Sequence, residues 1–239
     1  MGFAPDKIGV GRSGSKTNEL SPFAQESKRL LKSSFRGVSS LELKASLPDA
    51  RSVMQGWRLS ASIARVPGYA LLCADDEVRE FDQTLIVSDV RQIAKFFDFR
   101  YGYAYQRPFK LGPDLYQFGM VTEGLSKPEV ERISKWAHAL LSAGKKNDPV
   151  CNYLREVCSL NILSPVHLAL SVEGQTLRTW IEASADRGRL EPFINDLWFW
   201  QVPIGSMPML QRHLGERRLL ISYGDYQTPS AGPAGDSYA

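Results

Sequence analysis

The sequence predicts an α+β domain with a mainly antiparallel sheet packed against helices, and three observations carry that expectation. Trp57, Leu59, Ala61 and Ile63 alternate with Arg58, Ser60, Ser62 and Ala64, the period of a half-buried strand. Ile133, Trp136, Ala137, Leu140 and Leu141 instead recur at three- and four-residue spacing, which is one face of a helix. The last part, residues 197–223, reads strand, helix, strand. A chain of 239 residues that is 43% apolar can fill a real core, as one large domain or two small ones. The reading adopted is a single globular domain over residues 41–223. A flexible basic segment, 1–40, precedes it, and a flexible tail, 224–239, follows.

The elements are justified in chain order. Residues 1–20 are rich in Gly, Ser and Lys with little apolar content, a composition that does not bury surface. Residues 22–35 form a short basic helix with Phe23, Leu30 and Leu31 on one side. Leu41 and Leu43 alternate with charges and begin the body. Residues 57–64 are a strand, broken by Pro67 and Gly68, and 69–73 are a short apolar strand. Residues 81–87 are a third strand or the lead into a helix over 88–97. Tyr101, Tyr103 and Tyr105 point one way if that stretch is extended.

Ser126 and Glu129 have capping-box spacing, with Pro128 in the first turn, so a helix starts there and ends at Gly144. Asp148 and Pro149 start a second helix with the stripe Val150, Tyr153, Leu154, Val157 and Cys158, forming an αα-hairpin with the first. A short helix over 176–183, a strand over 197–202, a helix over 207–214 and a final strand over 218–223 complete the body. The tail from Gly224 is rich in Gly, Pro and Ser.

Composition narrows the function classes. The net charge of +3 is mild and argues against nucleic acid as the main partner. Charge is nonetheless uneven: residues 1–44 carry eight bases and four acids, and residues 74–98 carry seven acids and three bases. Cys73, Cys151 and Cys158 are an odd number of thiols, which fits a reducing compartment. With no apolar leader and no membrane-length apolar run, the expected place is the cytoplasm and no membrane partner is expected. The sequence leaves a homo-oligomer open.

Chemical motifs are sparse. Gly9, Gly11 and Gly14 match the dinucleotide spacing GxGxxG. Only Ile8 and Val10 are available for the strand that must precede it, and no apolar helix follows. Lys16 and Thr17 follow Ser15 where a phosphate loop needs glycine. Cys151 and Cys158 share a face of the proposed helix but have no histidine at ligand spacing. His138, His167 and His213 are scattered and belong to no recognised pattern. No catalytic residue, metal ligand or cofactor site is therefore assigned.

Aromatic residues are the strongest signal. Residues 96–118 hold nine of them, in a chain with 5 Trp, 9 Tyr and 11 Phe. Tyrosine joins an apolar ring to a polar tip, which suits a surface covered by another molecule. The candidate contact residues are Tyr101, Tyr103, Tyr105 and Arg107, joined by the acidic Asp75, Asp76, Glu77 and Glu80. Trp198 and Trp200 share one face of the strand LWFWQV and are candidates too, since Trp, Tyr and Arg concentrate binding energy.

Two stretches carry a resemblance. One runs from FRYGYAY at Phe99 to GPDLYQFGM at Gly112. The other runs from VCSLNILSP at Val157 through Thr179-Trp180-Ile181 and DRGRL at Asp186 to LWFW at Leu197. Together they resemble bacterial immunity proteins encoded beside polymorphic or type VI secretion toxins, over about residues 55–222. The resemblance implies a non-enzymatic protein whose partner is a cognate toxin, neutralised by occlusion of its active site or substrate groove. Two other readings stand beside it. One is an enzyme whose site is assembled from dispersed residues, with a histidine meeting a carboxylate or Cys73. The other is a nucleic-acid-associated protein using the basic N-terminal arm.

Overall fold

A computed structural model describes residues 5–12, 20–46, 57–64, 69–74, 81–95, 99–108, 111–142 and 148–223. Helices and antiparallel sheets both form, so the α+β class holds. The contacts gather into two compact units, Met1–Phe81 and Asp82–Ala239.

The first unit contains β1 (Lys7–Arg12), β2 (Leu20–Pro22), α1 (Phe23–Lys32), β3 (Val38–Ser46), β4 (Trp57–Ala64) and β5 (Tyr69–Ala74). Its sheet is antiparallel throughout, in the order β2-β1-β3-β4-β5. The expectation of a flexible segment over 1–40 fails here. Ile8 is buried and Val10 partly so, and both pack against Leu30 and Phe23 of α1 and Leu41 and Leu43 of β3. Two apolar residues separated by glycine look too thin for a strand, but pairing with β3 gives them a face to bury. The expected domain start at residue 41 therefore falls inside β3. The dinucleotide reading also ends here, because Gly9 and Gly11 lie within a strand. Gly14, Ser15, Lys16 and Thr17 lie outside the described residues.

The second unit opens with α2 (Gln83–Ile93), which starts earlier than expected because the Asp82 carboxylate accepts from the Thr84 and Leu85 amides. Next come β6 (Gly102–Ala104), α3 (Pro113–Gln117) and α4 (Lys127–Leu141), the last with the expected Ser126–Glu129 capping box. α5 (Pro149–Asn152) is a single turn, followed by β7 (Leu160–Leu163) and α6 (Pro165–Leu168). β8 (Ser171–Val172) and β9 (Gln175–Thr176) form a tight hairpin; its turn residues Glu173 and Gly174 both have positive φ, at 53° and 81°. α7 (Leu177–Glu182), β10 (Arg189–Pro192), β11 (Trp198–Gln201) and α8 (Met207–Glu216) complete it.

The main sheet of this unit has the order β10-β11-β7-β6, with every pair antiparallel. β11 divides the core as its alternation requires. Trp200 packs with Leu154, Trp180, Leu210 and Leu214 on one face, and Phe199 packs with Leu160, Ile162 and Leu197 on the other.

Two expected elements are corrected. The αα-hairpin does not form, because the chain leaves α5 in extended geometry at Tyr153, with φ −138° and ψ 156°. Residues 218–223 give a single bridge, Leu154 to Leu220, rather than a sheet strand. Among the described residues no helix is long and apolar enough to cross a membrane. The tail 224–239 lies outside them.

Candidate functional site

The aromatic stretch builds a cage around one buried cation, Arg155. Its side chain is fully buried, and burying a charge is expensive unless bonds and opposite charge replace water. The replacements come from β6, α3, α4 and the neighbouring Glu156. Nη1 donates to the Tyr103 hydroxyl of β6 at 2.6 Å, and Nη2 donates to the Tyr116 carbonyl of α3 at 2.7 Å. Nε lies 3.3 Å from a Glu156 carboxylate oxygen. The guanidinium carbon is 3.9 Å from the ring centre of Tyr116, 4.8 Å from Trp136 on α4 and 5.2 Å from Tyr103, within cation–π range.

A second ring of bonds holds the cage in place. Tyr101 accepts the Arg155 backbone N–H at 2.8 Å. The Tyr103 hydroxyl also donates to the Gln117 side chain, and the Trp136 indole donates to the Gln117 carbonyl at 2.8 Å. The turn after α3 reaches α4 through Gly119, whose φ is +71°; a Cβ there would stand 2.6 Å from the Ala137 Cβ. Only glycine accepts both that backbone and that approach.

Charge follows burial. Burial pushes the Tyr101 hydroxyl well above its ordinary value and Tyr103 up to about 12. Burial, reinforced by Glu156, also raises Tyr116. Burial by itself would lower the Arg155 pKa, but Tyr103, Tyr116 and Glu156 outweigh it and the guanidinium stays charged. Cys158 is pushed far up by burial and then by Glu156, so it is a protonated thiol and a poor nucleophile.

Beside the cage lies a cleft of about 290 Å³. Tyr105, Arg107, Tyr116, Glu156, Ile204 and Met207 line it, together with Gln106 and residues 157–159. Tyr116 belongs to both structures: its ring contacts Arg155, and its hydroxyl donates to Glu156. Arg107 stacks on the same ring at 4.4 Å, donates from Nε to the Leu111 carbonyl and lies 3.9 Å from Glu129. The wall is therefore preformed before any partner arrives.

The histidines have separate surroundings. His167 is fully buried and caps α6 by accepting the Ser164 amide at Nδ1, while Nε2 donates to the Val150 carbonyl at 3.2 Å. Burial lowers its pKa to about 4, so it is a neutral structural residue. His213 stacks on Trp180 at 5.1 Å and lies 3.5 Å from Glu173, which also pairs with Arg217. His138 sits in the last turn of α4. All three cysteines are thiols, and Cys158 is not on a helix with Cys151 as expected. Among the described residues no group of three metal-ligating side chains occurs.

The sequence-predicted contact residues divide into three sets. Tyr105 and Arg107 reach the cleft. Tyr101 and Tyr103 turn their hydroxyls inward to Arg155, so the interior and not a partner uses them. Trp200 is likewise removed from any contact surface, being fully buried with its indole donating to the Arg187 carbonyl at 2.7 Å. Trp198 is partly buried beneath Arg178, at 4.1 Å. Asp75, Asp76, Glu77 and Glu80 lie outside the described residues. Arg155 and Glu156 escaped the sequence reading; the only signal was a basic–acidic pair interrupting an apolar stripe. Comparison of the chain with protein-family models, curated proteins and solved structures finds no match.

Proposed function

We propose that this chain is an immunity-type protein, which binds a cognate bacterial toxin in the producing cell and occludes its active site or substrate groove. The observation that carries the reading is the cleft wall. Tyr105, Arg107, Tyr116 and Met207 line it, and aromatic, arginine and methionine side chains are the types enriched at protein interfaces. Their shared base is fixed by the bonds to Arg155, and a rigid surface loses less entropy on binding than a mobile one. The reactive groups at the cleft support a binding role as well: the Cys158 thiol is protonated, and Glu156 is engaged by Tyr116 and Arg155.

The test is co-expression with the product of the adjacent gene, expected to be the toxin, followed by calorimetry on the purified pair. A one-to-one complex that abolishes toxicity is expected. Tyr105→Ala, and separately Arg107→Ala, should weaken it at least about tenfold. A well-folded protein that neither binds nor protects overturns the reading. Full affinity in both variants would remove the cleft from the interface.

A further inference from the structure

We propose that the end of α1 and the turn after it dock on a bilayer surface that carries anionic lipid, with Leu31 and Phe35 entering the acyl boundary and the surrounding cations lying on the headgroups. The proposal is independent of the reading of the cleft. Such a contact lies on one face of the bilayer and needs no helix that crosses it.

α1 has two sides. Phe23 and Leu30 face the sheet, and Leu30 is buried with Ile8 and Val38. Leu31 comes one position later, so its side chain is turned about 100° away, and it is 69% exposed. Lys28 and Lys32 are one turn apart and exposed, as are Arg29 and Arg36. A single exposed leucine calls for no explanation. Here a second large apolar side chain is exposed four residues on: Phe35, at 40%.

The turn holds Phe35 there against its backbone preference. Ser34 and Phe35 have φ of 49° and 58°, the left-handed region that glycine ordinarily fills at a helix end. The conformation is fixed by three bonds. The Phe35 amide donates to the Leu30 carbonyl at 3.1 Å, the Val38 amide donates to the Phe35 carbonyl at 3.3 Å, and Arg12 Nη1 donates to the Arg36 carbonyl at 3.3 Å. The tip is open, since a Cβ at Gly37 would meet nothing within 4 Å. An unfavourable backbone maintained around an exposed phenylalanine motivates a functional role for that side chain.

Charge selects the occupant. Residues 20–40 hold Lys28, Arg29, Lys32 and Arg36 against one acid, Glu26. Glu26 is engaged by Arg29 at 3.3 Å and by Arg12 at 3.7 Å. Among the described residues no acid pairs with Lys28, Lys32 or the Arg36 guanidinium. A second copy would set these cations against their own kind. Nucleic acid offers phosphates, but Leu31 has no ring on which a base could stack. An anionic bilayer offers both requirements at one surface: charged headgroups for the cations, and an apolar layer beneath them for Leu31 and Phe35.

The test is co-sedimentation of the full chain with phosphatidylcholine vesicles, with and without about one-third phosphatidylserine, at about 50 and about 500 mM salt. Binding is expected to the anionic vesicles only, and the higher salt should weaken it. The double variant Leu31→Ser/Phe35→Ser should lower binding at least about tenfold with unchanged circular dichroism. The triple variant Lys28→Gln/Lys32→Gln/Arg36→Gln should do the same. A wild type that ignores anionic vesicles at low salt overturns the proposal. So does equal binding to neutral vesicles, or binding that the double variant leaves intact. If a variant loses its native circular dichroism, hydrogen exchange of the wild type decides. Amides 28–37 must slow with anionic vesicles and not with neutral ones, and unchanged rates overturn the docking. Protection of those amides by a single-stranded oligonucleotide or an acidic protein, without vesicle binding, also overturns it, in favour of that ligand.

Discussion

His167 should make stability fall on acidification, and His167→Gln should remove that part of the fall. The buried imidazole accepts the Ser164 amide at Nδ1 and donates from Nε2 to the Val150 carbonyl. It also stacks on Tyr101 with ring centres 4.9 Å apart. A second proton would have to displace the amide contact, in a site closed to solvent. Burial accordingly lowers its pKa from 6.5 to about 4. In the unfolded chain the imidazole titrates near 6.5. Below that pH the unfolded state holds the extra proton and the native state does not, so stability falls with pH. The contribution is intact above about pH 7, and its loss is complete only below about pH 4. The whole window is worth about 3 kcal/mol, of which about 2 kcal/mol is lost between pH 7 and pH 5.

Glutamine is the informative replacement. At the third position of α6 its side-chain carbonyl can still accept the Ser164 amide, and it does not titrate. The assay is urea unfolding followed by tryptophan fluorescence at pH 7 and pH 5, for both proteins. Glu129 and Glu173 have lowered carboxyl pKa values, so their losses come below the usual carboxylate range and are shared by both proteins. The wild type should lose about 2 kcal/mol more than the variant between the two pH values. Equal losses would refute the reasoning, and so would a resonance assigned to the His167 imidazole that titrates near 6.5 in the folded protein.

Other perturbations test the cage and the cleft separately. Arg155→Met removes the cation but strands Glu156 and the Tyr116 carbonyl, and should cost about 3–5 kcal/mol by urea unfolding. Gly119→Ala forces a Cβ against Ala137 at a φ of +71° and should cost at least about 2 kcal/mol, seen as a lowered unfolding midpoint. Tyr105→Ala should leave unfolding within about 1 kcal/mol of wild type while weakening the toxin complex.

How much of this was legible depended on whether local chemistry decided the outcome. β4 and α1 came within a few residues of expectation because alternation and helical spacing were unopposed. Asp82, Ser126 and Thr176 cap helices with their own side chains, so those starts were marked in the sequence, although Asp82 went unread as a cap. The segment 153–158 is different. Its apolar residues have helical spacing, yet its backbone is satisfied from afar. The Leu154 amide donates to Leu219, Arg155 to the Tyr101 hydroxyl, Val157 to the Gln211 side chain and Cys158 to the Asn161 side chain. Every one of those partners lies outside the segment, and three tertiary bonds with one local side-chain bond replace the helical ladder. β1 was hidden for a related reason: Ile8 and Val10 become a buried face only when β3 and α1 are present.

The tyrosines show why a cluster in sequence can serve two purposes in space. In the extended run from Tyr101 to Tyr105 the first two rings turn to Arg155, and the third reaches the cleft. Tyr116 joins the two, with guanidinium groups of Arg155 and Arg107 both stacked on its ring. Two cations against one ring repel, unless each has its own anion; Glu156 supplies one for Arg155 and Glu129 one for Arg107. The Arg155 pair is shielded from water, so its loss moves the ring as well as the charge. The Arg107 pair is longer, at 3.9 Å, and its Glu129 partner is also held by Ser126. Arg107 is itself largely buried, its side chain 12% exposed, and its bond to the Leu111 carbonyl ties it to the cleft wall, whereas Arg155 is tied to the cage. On the proposed reading, Tyr105 and Arg107 are the wall residues whose loss should weaken a bound protein, on a base that Arg155 keeps fixed.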